Sequence, residues 1–263
     1  MAPGKSAAAP RRPLPAAVAS LVTQALVALA LVGSWQALHW IAGGDALASP
    51  VATAVRLAEL WSMPDFLGNV AETGKALVLA LAIAGIGGLA LGVLLGAHRL
   101  SGEVAEPLLV ALYALPKVTL YPLVLLAFGL GLSAKVAFGV MHGVIPIVLF
   151  AMNGLRNIPG VLLRTARALR MTPAHTAARV LLPAALPEIV TGVRVGFSLT
   201  LLGVLVGEMF ASQRGLGFML TNAIGLNDAT TILAVTALIA TFALAINAAL
   251  LQVERRLRKE GPT

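Results

Sequence analysis

The sequence predicts an all-α integral membrane protein built around six transmembrane helices. Of its 263 residues, 59% are hydrophobic and only 11% are charged, and the mean hydropathy is +0.92. A soluble domain carries about 25% charged residues, whereas a run of about 20 apolar residues crosses a bilayer as a helix. This number of charged residues is too small to cover the water-facing surface of a soluble protein of this length. Lipid is therefore the expected solvent for most of the chain.

The composition also excludes several other classes of protein. The chain has no Cys, which rules out a disulfide scaffold, thiol nucleophiles and Cys-based metal sites. In a soluble protein the net charge of +8 would suggest nucleic-acid binding, but here the basic residues lie between apolar segments and aromatic residues make up only 5%. We therefore attribute the positive charge to orientation in the membrane, and we expect neither a nucleic-acid partner nor a metal site.

Six segments qualify as transmembrane spans, in chain order. They are about Val18–Trp40, Ala76–His98, Leu108–Leu132, Val136–Leu155, Ile189–Phe210 and Thr230–Leu251. The third is irregular because it contains Pro116 and Pro122, which disturb helix hydrogen bonding. Residues 18–251 are predicted as one membrane domain, with cytoplasmic tails at 1–17 and 252–263.

The first span has a second interpretation, as a cleaved signal peptide. Lys5, Arg11 and Arg12 precede it, and Ala46 and Ala48 resemble the small residues of a cleavage site. Its apolar run is about 23 residues long, whereas the apolar region of a signal peptide has about 7–15. A retained helix is therefore the favoured interpretation.

The distribution of Lys and Arg predicts the orientation of the spans. With the N-terminus inside, 13 of the 19 basic residues fall in cytoplasmic tails and connections and four in external ones. The four external residues are Arg56, Lys75, Lys135 and Arg214. Because cytoplasmic loops carry an excess of Lys and Arg, we expect both termini in the cytoplasm.

Two local patterns predict further structure. Ser49 followed by Pro50 suits the start of a helix, and 51–61 is amphipathic, either a docking helix or a connector at the outer surface. Glycines at four-residue spacing form flat strips against which a second helix packs closely. These packing glycines are Gly88, Gly92 and Gly96 in the second span and Gly139 and Gly143 in the fourth.

The connection between the fourth and fifth spans, residues 153–188, is predicted to form two short helices. In 160–169, the apolar residues Val161, Leu162, Ala166 and Leu169 share one side, and Arg164 and Arg167 share another. Thr172 suits a helix N-cap and Pro173 the first helical position; the second helix is expected to stop at Pro183. A basic two-helix elbow between two spans suggests a docking surface for another protein.

The elbow resembles the "EAA" loop of ABC-importer permeases. The family pattern is Glu-Ala-Ala, three residues, Gly, nine residues and Ile-x-Leu-Pro, and here the spacing is met by Arg164-Thr165-Ala166, Arg170 and Val180-Leu181-Leu182-Pro183. Three other stretches resemble the nitrate, sulfonate and taurine branch of that family. They are Leu115–Leu123 followed by Phe128–Gly131, then Leu186–Arg194, and then Gly207–Met209 with Gly215–Gly217.

The resemblance implies a type I permease bundle in the bacterial inner membrane. It implies that a cytoplasmic ATPase, in two copies, receives the elbow as a coupling loop formed by Arg164, Thr165, Ala166, Arg167, Arg170, Val180, Leu182 and Pro183. An external binding protein delivers the solute, a second permease copy completes the pathway, and ATP and magnesium belong to the ATPase, so this chain is no enzyme and binds no cofactor. Arg164 and Arg170 replace the family Glu and Gly. Since Gly at the bend adopts a positive φ easily, we expect Arg170 to bend without one, or the helices to join differently.

Charged side chains within lipid face an interior or a water-filled cavity. Lys117, His142 and Glu208 are therefore candidates for the solute pathway, and Lys117 favours an anion such as an aliphatic sulfonate, taurine or nitrate. The alternatives remain open: Lys117 snorkels or pairs within the bundle, and His142 and Glu208 are structural. Arg194 is expected to anchor the fifth span at the interface. The solute could also be a pyrimidine vitamin precursor, and a self-sufficient secondary transporter or channel is the alternative class.

Overall fold

The computed structural model describes residues 16–44 and 46–260 of the chain, and within them all regular structure is helical. The predicted N-terminal tail falls mainly on residues 1–15 and, with Lys5, Arg11 and Arg12, lies outside the described residues. The helices are α1 (Ala16–Ala42), α2 (Pro50–Trp61), α3 (Pro64–Ala97), α4 (Arg99–Ala114), α5 (Tyr121–Phe128), α6 (Leu132–Arg156), α7 (Gly160–Ala168), α8 (Pro173–Thr176), α9 (Leu182–Ala211), α10 (Leu216–Gly225) and α11 (Ala229–Glu260), with a 3₁₀ turn at Lys117–Leu120 and a π-helical turn at Ala177–Leu181.

Five of the described helices are long and apolar enough to cross a membrane: α1, α3, α6, α9 and α11. Helix α4 and the segment Lys117–Phe128 pass the same test only together and meet at 83°, so they form either one broken span, which would be the sixth, or a re-entrant loop. The all-α, multi-span prediction is therefore confirmed, whereas the helix predicted to start near Leu108 as the third span begins at Arg99. The break lies at Leu115, whose extended ψ of 135° is what a residue preceding a proline prefers.

Two helices are longer than hydropathy predicted. Helix α3 begins at Pro64, a residue type that suits the first helical turn. Its 34 residues include the polar stretch before Ala76. Helix α11 continues from Ala229 to Glu260, so most of the predicted C-terminal tail is helical; residues 261–263 lie outside the described part. Polar residues at the start of α3 and at the end of α11 lower the local hydropathy, so a hydropathy window does not include these turns in the spans.

The core of the bundle is the packing of α6 between α3 and α9. A Cβ on Gly92 would lie 2.7 Å from the carbonyl oxygen of Val148 and 2.6 Å from the Cβ of Ala151. The neighbouring Gly88 and Gly96 meet α6 in the same way, with Ile147 and Met152 respectively. On the other side of α6, Gly139 approaches Val204 and Gly143 approaches the hydroxyl of Thr200. These glycines let three helix backbones approach without intervening side chains.

The predicted amphipathic helix is present as α2. Its start is capped by Ser49, whose hydroxyl accepts a hydrogen bond from the N–H of Ala52 at 3.1 Å. Arg56 of α2 donates to Thr231 at 2.8 Å, where Asp228 caps the start of α11. Partial burial raises the pKa of Asp228, but the hydrogen bonds from Thr231 and the charge of Arg56 outweigh it and lower the pKa. These contacts fix α2 against α11.

Two ends of the bundle can therefore be distinguished. The end of α6 and the start of α9 meet the elbow, residues 153–188, and we call this the elbow end. At the opposite, far end, the start of α6 meets the start of α3 and Arg214, and the end of α9 meets α10. The elbow and the far end are thus joined by continuous helices.

Candidate functional sites: the elbow and the membrane interior

The elbow contains the two predicted helices, α7 and α8, but the second does not stop at Pro183. The chain passes from α8 through the π-helical turn directly into α9, where Pro183 lies in the first turn. Pro183 cannot donate to the preceding turn, and the π-helical turn, in which the N–H of Leu182 donates to the carbonyl of Ala177, accommodates that missing bond. The elbow is therefore the start of the α9 rod.

The bend between α7 and α8 centres on Arg170, whose φ is +50°. The N–H of Met171 donates to the carbonyl of Ala166 at 3.0 Å and that of Arg170 to the carbonyl of Arg167 at 3.0 Å. This pair of bonds is a Schellman ending, which places a left-handed residue after the helix. The expectation that Arg170 would avoid a positive φ is therefore wrong, because the two hydrogen bonds offset a left-handed cost of about 1–2 kcal/mol.

The start of α8 is capped as its sequence predicted. Thr172 accepts a hydrogen bond from the N–H of His175 at 3.4 Å, and Pro173 occupies the first turn. The Thr172 hydroxyl also lies 3.0 Å from Nδ1 of the His175 ring. The bend and the cap together define the angle at which α8 leaves α7.

The predicted apolar side of α7 is divided in the structure. Ala166 is 3% exposed, and Leu162 packs on a buried cluster that includes Ile158. Val161 and Leu169, by contrast, are 55% and 69% exposed. Of the four residues predicted to share one side of the helix, Leu162 and Ala166 pack inward, and Leu169 lies just beyond the end of α7.

The elbow presents basic side chains that have no acidic partner. Within the described part of the chain, no ion pair is formed by any of its exposed arginines, which are Arg164, Arg167, Arg170 and Arg179. Thr165, Leu182 and Pro183 are also exposed, and Val180 is half-buried. Unpaired guanidinium groups beside exposed apolar side chains can bind an acidic and partly apolar surface of another protein.

The base of α9 is fixed to α11 at the same end. Arg194 donates to Glu254 at 3.1 Å, and Arg258 lies 3.7 Å from Glu188. Arg194 was expected to anchor the fifth span, and the structure gives that residue an ion-pair partner on the neighbouring span. A displacement of the elbow would therefore act on α9 and α11 together.

Lys117 lies at the break of the third span. Its side chain is 9% exposed, its Nζ donates to the carbonyl of Tyr113 at 3.2 Å, and it lies 5.1 Å from the centre of the Tyr113 ring. Among the described residues no carboxylate lies within ion-pair distance of it. A buried cation with no counter-ion is an attractive site for an anion.

His142 and Tyr121 both pack against the ring of Phe138. The Nδ1 atom of His142 is 2.9 Å from the carbonyl of Phe138, and the two rings are 4.8 Å apart. Tyr121, four residues after Lys117, packs 5.5 Å from the Phe138 ring, and its hydroxyl is buried without a hydrogen-bond partner. Sequence reasoning missed Tyr121, although its position one turn after Lys117 was a usable signal.

Glu208 does not face an open pathway. Its carboxylate is fully buried, accepts the Thr73 hydroxyl at 2.8 Å and the N–H of Gly217 at 2.9 Å, and lies 3.8 Å from Nζ of Lys135. Lys135, predicted to lie in an external connection, is 1% exposed. That prediction is wrong because α6 begins at Leu132, which places Lys135 in the first turn of the helix.

Comparison with known proteins identifies the fold and the family. Residues 88–259 match the family described as "Binding-protein-dependent transport system inner membrane component". The chain belongs to this family. It is therefore a permease subunit of an ABC importer and not an enzyme, as the resemblance of the elbow implied.

Named relatives agree with this assignment. The chain is 29% identical over 189 residues to the "Taurine transport system permease protein TauC" of Escherichia coli (strain K12), covering 72% of this chain and 69% of the relative. It is 28% identical over 222 residues to the "Nitrate import permease protein NrtB" of Leptolyngbya laminosa, covering 81% and 76%. These names belong to the nitrate, sulfonate and taurine branch suggested by the sequence.

A solved structure has the same fold. A chain of the MetNI methionine ABC transporter, in an inward-facing conformation, matches with a TM-score of 0.64 at 23% identity, over 74% of this chain and 97% of that chain. The likeness shows that the described helices adopt the type I importer permease architecture.

Proposed function

We propose that two copies of this chain form the transmembrane pathway of an importer for small anions, with the elbow and both termini in the cytoplasm. The orientation follows the excess of Lys and Arg in the connections assigned to that side. Two ATPase subunits bind the two elbows, hold ATP and magnesium, and supply the energy. A binding protein delivers the solute at the far end.

The observation that carries this proposal is the elbow itself. Its arginines are exposed and unpaired, and its second helix is continuous with α9 through the π-helical turn. A partner that closes around the elbow can therefore tilt α9 as a rod. Such rigid-body rocking of spans exposes a central site to one side and then the other.

The solute preference rests on Lys117. Its positive charge has a backbone carbonyl and a ring as neighbours but no carboxylate, so a sulfonate or nitrate group passing the break at Leu115 would supply the missing negative charge. His142 lies on the adjoining face of α6 and contributes a polar wall. The taurine and nitrate transport named for the relatives supports the same class of solute.

Charge reversal in the elbow tests the coupling. Arg167→Glu is expected to abolish co-purification of the ATPase with the permease, because an acidic side chain would face the acidic surface that the arginine binds. Arg256→Glu is the matched control, since Arg256 is an exposed arginine on α11 at the same end but outside the elbow. Equal ATPase recovery with both variants would exclude the elbow as the docking surface.

Uptake into proteoliposomes tests the solute class. The permease, reconstituted with the ATPase and binding protein of its own system, is expected to accumulate taurine, another sulfonate or nitrate in an ATP-dependent way. Lys117→Gln is expected to lower that uptake about tenfold, as for an ion contact worth about 1.4 kcal/mol, while Lys117→Arg retains it. Uptake of a pyrimidine and of no anion, or anion uptake by the permease alone without ATPase, would contradict the proposal.

A further inference from the structure

A buried charged cluster lies at the far end of the bundle, and the proposed solute path does not use it. It consists of Asn69, Glu72 and Thr73 of α3, Lys135 of α6, Glu208 of α9 and the backbone of residues 214–217. We call it the far-end cluster. It joins three long helices to the beginning of the short helix α10.

The cluster supplies hydrogen-bond acceptors to the start of α10. The N–H groups of residues 215, 216 and 217 donate to Asn69 at 2.7 Å, to Thr73 at 2.8 Å and to Glu208 at 2.9 Å. The first N–H groups of a helix have no partner within the helix, and a carboxylate is favoured at that end. The first two N–H groups of α10 and that of the preceding Gly215 are therefore capped by side chains of α3 and α9.

Each buried charge in the cluster has a counter-ion. The Nζ atom of Lys135 lies 3.8 Å from Glu208 and 3.1 Å from Glu72, and it donates to the carbonyl of Arg214 at 3.0 Å. Burial of an unpaired charge is strongly unfavourable. The arrangement therefore holds only while α3, α6, α9 and the segment before α10 keep their relative positions.

The backbone of α10 lies directly on Glu208. Gly215 has a φ of +122°, and a side chain at this position would collide with the Glu208 carboxylate. A Cβ on Gly217 would lie 2.7 Å from the Cβ of Glu208. Only glycine allows this contact, which explains why the stretches Gly207–Met209 and Gly215–Gly217 occur together.

We propose that Glu208 is a positioning residue that, together with Asn69 and Thr73 of α3, locks the start of α10 to the last turn of α9, so that a movement entering α9 from the elbow reaches α10 through this cluster. Helix α9 is continuous from Leu182 to Ala211, with the elbow at its start and Glu208 at its end. The second half of α10 is exposed at the far end, around Ile224. The inference rests on the proposed function, because it requires an ATP-driven movement of the elbow that α9 passes on to α10.

The test compares Glu208→Ala with Glu208→Gln in the complete complex of permease, ATPase and binding protein. Loss of the acceptor in Glu208→Ala is expected to speed hydrogen exchange at the start of α10 by about tenfold or more. ATP hydrolysis is expected to continue while solute uptake per ATP falls at least about tenfold, by the same loss of a buried partner. Glu208→Gln keeps an oxygen acceptor and is expected to lie closer to the native protein in both measurements.

The native chain has no Cys, so Ile224→Cys places a single label on the exposed half of α10. In the native background its labelling rate is expected to change with ATP, and with Glu208→Ala that response is expected to disappear. Arg56→Met is the control, because it removes a contact between α2 and α11 at the same end and is expected to leave uptake per ATP unchanged.

Three outcomes would overturn the inference. Unchanged exchange at α10 in Glu208→Ala would show that no lock exists. Uptake and hydrolysis that fall together with the yield of assembled complex would assign Glu208 to fold stability alone. An ATP-dependent Ile224→Cys response that survives Glu208→Ala would show that α10 moves independently of this residue. If the native complex shows no ATP-driven uptake, the proposed function fails separately, and hydrogen exchange still decides whether Glu208 locks α10.

Discussion

The elbow that precedes α9 and the far-end cluster at its last turn present their charges in opposite ways. At the elbow, four arginines are exposed and none forms an ion pair within the described residues, and the bend is made by backbone hydrogen bonds around Arg170. In the far-end cluster, Lys135 and Glu208 are 1% and 0% exposed, and side chains cap the next helix. The unpaired arginines of the elbow are free to bind a partner, whereas the paired charges of the far-end cluster hold the fold together.

This contrast has an energetic side. Substitution of an exposed side chain away from special features changes the free energy of unfolding by about 0.5 kcal/mol or less. Removal of one member of a buried ion pair costs about 3–5 kcal/mol, because the remaining charge is left without compensation. The same kind of substitution should therefore separate the two regions sharply.

The largest effect is expected for Lys135→Met. The variant leaves Glu208 buried without its cation, so the free energy of unfolding should fall by about 3–5 kcal/mol. The measurement is the thermal unfolding midpoint of the purified permease in detergent. Arg167→Met at the elbow is the matched control and should shift the free energy of unfolding by no more than about 0.5 kcal/mol.

A double variant identifies the cause of that loss. Lys135→Met combined with Glu208→Gln carries no buried charge at the Glu208 position and should recover part of the stability, because the uncompensated carboxylate is gone. Equal midpoints for Lys135→Met and Arg167→Met would contradict the contrast between the two ends.

An intermediate effect is expected on the glycine strip that joins the two regions. Gly92→Ala would place a Cβ 2.7 Å from the carbonyl oxygen of Val148, and because backbone cannot yield like a flexible side chain, the cost should be about 1–3 kcal/mol. Gly85→Ala is the control, since no atom lies within 4 Å of a Cβ there. It should be neutral or stabilising by up to about 1 kcal/mol, as expected for Gly replaced by Ala in a helix. Equal unfolding midpoints for the two variants would show that the close approach is not maintained.

The helix start and the inner face of the elbow could be predicted because their signals are local. Thr172 and Pro173 define the start of α8, and the spacing of Leu162 and Ala166 defines the inner face of α7. The sequence could not predict the positive φ of Arg170, because two backbone hydrogen bonds, and not the side chain, select that conformation. Nor could it predict that α8 joins α9, since a proline usually ends a helix and the π-helical turn before Pro183 has no sequence signature.

The far-end cluster could not be assembled from one sequence. Thr73 and Glu208 are 135 positions apart, and nothing local connects them. Lys135 was assigned to a connection because a hydropathy window trims charged residues from the ends of spans, although a lysine one turn inside an apolar helix needs a buried partner. The spans themselves were predictable where they are uniformly apolar, and the prediction failed where polar residues extend α3 and α11.

The smallest effect is expected at the bend of the elbow, where the sign of the change in stability shows whether the Arg170 side chain supports the bend. Arg170→Gly removes a left-handed cost of about 1–2 kcal/mol, and the greater freedom of glycine in the unfolded chain returns about 0.4–1 kcal/mol of that gain. The elbow should therefore become more resistant to limited proteolysis by a small margin. Arg167→Gly, in the interior of α7, should weaken it by about 1 kcal/mol, because glycine is unfavourable within a helix. If the Arg170→Gly variant binds less ATPase but resists proteolysis better, the guanidinium group acts in docking and the positive φ of residue 170 affects only folding.

If the Arg170→Gly variant is instead less stable than the native protein, the arginine side chain itself supports the bend. The elbow would then resemble the far-end cluster more closely than its exposed charges indicate.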